Sequence, residues 1–195
     1  MNTLICDIGN VVISWRPEAL FPEIAEDQAA LDHWLDEIGF NTWYNASSGD
    51  RQSGLAELPF ALHARVKAYL GAYRIAVKDP MPGTADVLKK LKDRDIRLLA
   101  LSNAPPEAGD LVADCHQSVM AMFEDVFVSG REGLRKPDPQ AYLTLLTRNG
   151  LAPEHAGFVD DSPAYVAVAQ ELGLKGHVFK DADALERWLS DEGML

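Results

Sequence analysis

Residues 4–13 read Leu4-Ile5-Cys6-Asp7-Ile8-Gly9-Asn10-Val11-Val12-Ile13. Leu4 to Cys6 are apolar at consecutive positions, the pattern of a parallel strand covered on both faces. Asp7 places a carboxylate where that strand ends, and Gly9 and Asn10 permit a sharp turn directly after it. In open parallel sheets ligands bind outside the carboxyl ends of the strands, so Asp7 falls where such a sheet does its chemistry. Taken alone, it is equally a turn aspartate closing a strand. The rest of the chain has to choose.

Downstream of Ser14-Trp15-Arg16-Pro17 the pattern is helical. Asp27 is placed to cap a helix whose apolar positions Leu31, Trp34, Leu35 and Ile38 follow i, i+3, i+4, i+7, with Gly39 as its stop. Residues 41–54 are polar and rich in turn formers around Trp43, Tyr44 and Asn45, and a second helical face follows with Leu62, Val66, Leu70 and Tyr73. Asp79-Pro80-Met81-Pro82-Gly83 ends it. Residues 16–80 therefore read as a helical insertion without strands. From Thr84 helices and strands alternate. Val87, Leu88 and Leu91 line a helix. Strands are expected at 96–101, 126–128, 157–159 and 177–179, and Leu185, Trp188 and Leu189 give the last helix its buried face. Such alternation means βαβ units and an α/β fold: a Rossmann-like parallel sheet with helices on both faces. The core takes residues 1–15 and 81–195, and residues 16–80 form a small helical cap domain.

Composition narrows the functions. The chain has 195 residues, 47% hydrophobic and 25% charged, with a formal net charge of −12. No basic excess exists to displace counterions from a phosphate backbone, which argues against nucleic acid as partner. Cys6 and Cys115 form no CxxC or Cys/His cluster, so neither a disulfide framework nor a zinc site is indicated. No signal peptide is expected before the first strand and no apolar run reaches membrane-spanning length, so the expectation is a cytoplasmic protein without a membrane partner. The sequence assigns no oligomeric state.

Each strand ends in a residue suited to phosphate chemistry. Asp7 ends the first, and Ser102 with Asn103 the second. Lys136 follows the third within Gly133-Leu134-Arg135-Lys136-Pro137-Asp138, and Asp160-Asp161 close the fourth. In a parallel sheet these ends share one side, so the groups converge. Ser102 could instead cap the next helix. Adjacent aspartates repel each other unless a cation or water intervenes. Arg135, Asp138 and Lys89, Lys90 and Lys92 read as surface or structural residues. His33, His63, His116, His155 and His177 share no spacing.

The ordered set Cys-Asp-Ile-Gly-Asn-Val-Val, Leu-Ser-Asn, Arg-Lys-Pro-Asp-Pro and Val-Asp-Asp-Ser-Pro resembles the four motifs of the haloacid dehalogenase (HAD) superfamily. The insertion sits where that superfamily carries an alpha-helical cap. Asp-Ile-Gly-Asn-Val and the loop around Trp43 and Asn45 resemble its bacterial sugar-phosphatase and haloacid-dehalogenase-like branch. The resemblance implies that Asp7 is a nucleophile forming an aspartyl-phosphate, that Ser102 donates to a phosphoryl oxygen, and that Lys136 neutralises nucleophile and phosphate together. It implies Mg2+ held by Asp7, the Gly9 carbonyl, Asp161 directly and Asp160 partly through water. Asn103, Trp43, Tyr44 and Asn45 would bind substrate, the two aromatics having cap core as their other reading.

Gly9 departs from the pattern. Most phosphatases of this superfamily carry an acid–base aspartate there, so leaving groups that need little protonation, as in anomeric sugar phosphates or acyl phosphates, are expected to be favoured. The expected function is a Mg2+-dependent phosphatase acting on a small phosphorylated metabolite such as a sugar phosphate. Two alternatives stand beside it. One is a metal-independent 2-haloacid dehalogenase, which would normally carry an arginine early in its cap; none lies between Arg16 and Arg51. The other is a non-catalytic, phosphate-sensing pseudoenzyme of the same fold.

Overall fold

A computed structural model describes residues 1–16 and 73–195. Five strands form one parallel sheet: β1 (Thr3–Cys6), β2 (Arg97–Ser102), β3 (Asp125–Val128), β4 (Ala156–Asp160) and β5 (Lys175–Val178). Their spatial order is β3-β2-β1-β4-β5. The chain therefore steps outward from β1 to β2 and β3, then returns to the other side of β1 for β4 and β5. That reversal opens a crevice at the carboxyl end of β1, where a ligand site is expected on topological grounds.

Alternate residues of the strands serve two cores. Leu4 and Cys6 of β1, Leu98 and Ala100 of β2 and Val159 of β4 pack on one side. They meet α1 (Thr84–Lys92), α2 (Pro106–Cys115) and α7 (Ala182–Asp191) through Leu88, Leu91, Val112, Leu185 and Leu189. Ile5, Leu99, Leu101, Phe127 and Phe158 point the other way, onto α5 (Pro139–Arg148) and α6 (Pro163–Glu171). Burial on both faces explains why β1 and β2 read as unbroken apolar runs. Short helices α3 (Gln117–Met120) and α4 (Ser129–Glu132) complete the path around β3. Neither carries a signal of its own in the sequence, since a single helical turn is too short to show periodicity.

Tyr73, Ala76 and Val77, which the sequence groups with the insertion, are buried, and Tyr73 and Val77 belong to the first core. An isolated bridge pairs Ile13 with Pro80. The point where the chain returns from residues 17–72 is thus fastened to the segment after β1. Among the described residues no helix is long and apolar enough to cross a membrane. Residues 17–72, including Trp43, Tyr44 and Asn45, lie outside the described residues.

Candidate active site

The register brings the acidic groups together. Cys6 pairs with Val159, and the Asp7 amide donates to the Val159 carbonyl at 2.8 Å, so Asp7 and Asp160 leave neighbouring strands side by side. The Asp7 carboxylate accepts from the Ile8 amide through Oδ1 at 2.7 Å, which fixes its orientation. The chain then turns through residues 8–13, where the Val12 and Ile13 amides both return to the Ile8 carbonyl. The left-handed backbone in this turn belongs to Asn10, at φ 55°, and not to Gly9. The sequence treated both as equal turn formers. Asparagine tolerates that conformation better than most side chains, so Asn10 carries the bend and Gly9 is left free of strain.

Lys136 is the centre of the cluster. Its side chain is fully buried, with Nζ 3.0 Å from Asp7 Oδ1 and 2.6 Å from Asp160 Oδ2. The ammonium also lies 5.1 Å from the ring centroid of Tyr165, near enough for a cation–π contribution. Asp160 accepts the Ser162 amide on its other oxygen at 2.8 Å. Two buried carboxylates thus share one ammonium, and exposed Asp161 stands beside them. Burial alone would discharge Lys136, but Asp7 and Asp160 outweigh it and hold its pKa above the usual value. Burial, and then repulsion from Asp7, pushes Asp160 up to about 7. Asp7 is raised too, chiefly by burial, with Lys136 opposing the shift.

The cluster is therefore short of positive charge. Asp7, Asp160 and Asp161 each offer a carboxylate oxygen, and these lie within 4.8 Å of one another. An all-oxygen donor set with excess negative charge fits a hard divalent cation. Asp160 already has one oxygen on Lys136 and the other on the Ser162 amide, whereas among the described residues the Asp161 side chain accepts only a 3.2 Å bond from Asn10. Asp161 is the better placed of the pair to reach a cation directly. Gly9 lines a cavity together with Asp7 and Asp161.

Ser102 ends β2 and also lines that cavity. The helix-cap reading fails for it: α2 begins after Pro105 without a side-chain cap. Asn103 spends one donor and one acceptor on the main chain of Lys136, donating to its carbonyl at 2.8 Å and accepting from its amide at 2.9 Å. Expected to bind substrate, Asn103 lines the cavity and also holds the main chain of Lys136. Asp138 caps α5 by accepting from Gln140, as a structural residue would. Lys89, Lys90 and Lys92 lie at the surface beside Asp93, Glu186 and Glu124. Arg135, read as a surface or structural residue, is half-buried and lines the cavity.

Sequence reasoning missed two positioning residues. Asn10 links the turn to Asp161, donating to its carboxylate while accepting from the Trp15 amide at 3.0 Å. Buried Ser129 accepts from the Ala104 amide at 3.0 Å and so pins the loop that follows Ser102. The signals for Asn10 were its turn-forming character and its place in Asp-Ile-Gly-Asn-Val, neither of which points to Asp161; Ser129 had none.

A family model described as haloacid dehalogenase-like hydrolase matches residues 1–173. The flavin mononucleotide hydrolase 1 of Arabidopsis thaliana is 32% identical over 114 residues, 58% of this chain and only 46% of that protein. The chain thus spans less than half of that relative. A sesquiterpene phosphatase of Aspergillus oryzae is 26% identical over 183 residues, covering 88% of this chain and 86% of its own. Among solved structures, a HAD family enzyme of Bacteroides thetaiotaomicron superposes with a TM-score of 0.73 at 23% identity, over 98% of both chains. The same enzyme in complex with magnesium and inorganic phosphate gives 0.71 at 22% identity, over 93% of this chain and 95% of that one.

Proposed function

Since the chain belongs to the haloacid dehalogenase-like hydrolases, we propose that it is a Mg2+-dependent phosphatase that hydrolyses a small phosphomonoester through an aspartyl-phosphate. The observation that carries this is the cation-deficient cluster of Asp7, Lys136, Asp160 and Asp161 at the crevice beside β1. Relatives named as phosphatases and a neighbour crystallised with magnesium and inorganic phosphate support it.

In this reading Asp7 attacks phosphorus in line, the phosphorus–oxygen bond to the leaving group breaks, and water later cleaves the acyl phosphate to regenerate the carboxylate. Lys136 is held at bonding distance from the nucleophile before substrate arrives, so its charge meets the phosphoryl group without reorganisation. Asp160 keeps that ammonium in place and charged. Ser102 donates its hydroxyl to a phosphoryl oxygen. Asp7, Asp161 and the Gly9 carbonyl would hold Mg2+, with Asp160 behind them through water; the ion would offset the charge of the transferring phosphoryl group. Residues 16–80 would act as a cap that excludes water, with Trp43, Tyr44 and Asn45 facing substrate.

The 2-haloacid dehalogenase reading has less support. A metal-free reaction on carbon gives no reason to gather Asp160 and Asp161 beside Asp7. A phosphate-release screen over phosphorylated metabolites, with and without Mg2+, beside chloride release from 2-haloacids, tests the proposal. Mg2+-dependent phosphate release that is lost in Asp7→Asn is expected. Chloride release without metal would overturn it, and inertness toward every compound would favour the phosphate-sensing alternative.

A further inference from the structure

The cavity over Asp7 does not end at the carboxylates. It is a single space of about 220 Å3 that begins among Asp7, Ser102 and Lys136 and continues along an apolar wall. Ile13, Tyr73 and Val77 contribute to that wall from the segments flanking residues 17–72, and Val112, Met120 and Val126 from α2, α3 and β3. Gly109 sets the close approach of α2 to β3: a Cβ there would come within 3.0 Å of Val128. Among the described residues that line the space, the charged side chains are Asp7, Asp161, Arg135 and Lys136, all on the sequence motifs of the phosphoryl end.

Resting on the phosphatase reading above, we propose that the substrate is amphiphilic, with its phosphoryl group at Asp7 and a hydrocarbon portion of its leaving group lodged against Val112, Met120 and Val126. The space is open to solvent, so its apolar wall is wetted in the absence of substrate. A hydrocarbon tail laid against Val112, Met120 and Val126 would return that water to bulk, with a gain that grows with the apolar area covered. The polyol body of a sugar would instead have to give up hydration against the apolar side chains of Val112, Met120 and Val126, which offer it no donor or acceptor. Continuity with the carboxylate cluster selects the tail of the substrate as occupant, because phosphate and tail must enter one space together.

The test uses the full chain with saturating Mg2+. Calorimetric affinities for ethyl-, butyl-, hexyl- and octylphosphonate require no turnover and vary only the tail. Affinity is expected to rise roughly two- to fourfold per methylene until the space is filled. The kcat/KM values for acetyl, butyryl and hexanoyl phosphate, whose leaving groups differ little in basicity, should climb in parallel. Val112→Phe should shorten the preferred chain and Met120→Ala should lengthen it, so the pair remains informative even if one variant folds poorly. Phosphonates that bind equally at every length would overturn the tail site while leaving the phosphoryl site standing. Phosphonates that bind at no length would overturn the phosphatase reading and this inference with it. Unchanged length preference in both folded variants would also count against the tail site.

Discussion

The side chain of Asn103 clasps the main chain of Lys136 from both sides, with its Oδ1 on the amide at 2.9 Å and its Nδ2 on the carbonyl at 2.8 Å. The end of β2 thereby sets where the loop after β3 delivers its ammonium. A displacement of Lys136 would move its charge away from the nucleophile while leaving the cavity wall intact.

Asn103→Ala is therefore expected to lower kcat on the order of 10²-fold with little change in KM, since sub-ångström placement of a catalytic charge is what it removes. Losing two partly buried hydrogen bonds should also cost about 1–3 kcal/mol of stability. Asn103→Asp keeps the acceptor for the Lys136 amide and should fall between wild type and alanine. Steady-state kinetics on the three proteins check this; a rise in KM at constant kcat would instead assign Asn103 to direct substrate contact.

Mg2+ and a proton should compete for the acidic cluster. Asp160 is raised to about 7 by burial and by Asp7, so the metal-free site holds extra proton below neutrality. A cation needs the ionised carboxylates, and its binding should release that proton. The apparent Mg2+ affinity is expected to tighten about tenfold between pH 6 and pH 8. Calorimetry in two buffers of different ionisation enthalpy measures the released proton directly. Asp161→Ala should weaken binding by roughly tenfold or more.

Lys136→Met leaves Asp7 and Asp160 buried together without their shared ammonium. Removing one member of a buried ion pair typically costs about 3–5 kcal/mol. The loss should depend on pH with a defined sign. Raised carboxylates contribute stability that is fully present below their unfolded pKa of about 4 and is lost as pH rises through the folded value. Lys136, also raised, contributes up to its unfolded pKa and loses that contribution only in the alkaline range beyond. The deficit of Lys136→Met should therefore be smaller at pH 5 than at pH 8. Urea denaturation at the two pH values, without metal, provides the comparison.

Gly9 bears on which leaving groups the enzyme can expel. Without a carboxylate there, acetyl phosphate and glucose 1-phosphate should exceed ethyl phosphate and glucose 6-phosphate in kcat/KM, because general acid assistance is worth ~10²–10⁴-fold to the poorer leaving groups. The fold permits the reverse experiment. Gly9 has no left-handed backbone, and a Cβ at that position would meet Trp15 at an ordinary 3.6 Å. Gly9→Asp is expected to fold and to raise the ethyl-to-acetyl phosphate ratio. An ethyl phosphate rate already matching acetyl phosphate in wild type would mean that another group supplies the proton.

The parallel sheet and its strand ends were legible in the order of residues alone. Leu4–Cys6 and the run through Leu101 advertise strands buried on both faces, and Val87, Leu88 and Leu91 advertise a helix, because periodicity is written in near neighbours. Strand ends of a parallel sheet share one side, so Asp7, Ser102, Lys136 and Asp160 could be gathered before any coordinates. What each side chain does there was decided by tertiary structure. The bonds from Asn103 to Lys136 span 33 residues, and that from Asn10 to Asp161 spans 151. No local pattern encodes such contacts. The left-handed backbone at Asn10, the burial of Lys136 and the apolar wall from Ile13 to Val126 all arise from how distant segments close on one another. A hydrogen bond or a cavity is a property of two surfaces, and the sequence presents only one surface at a time.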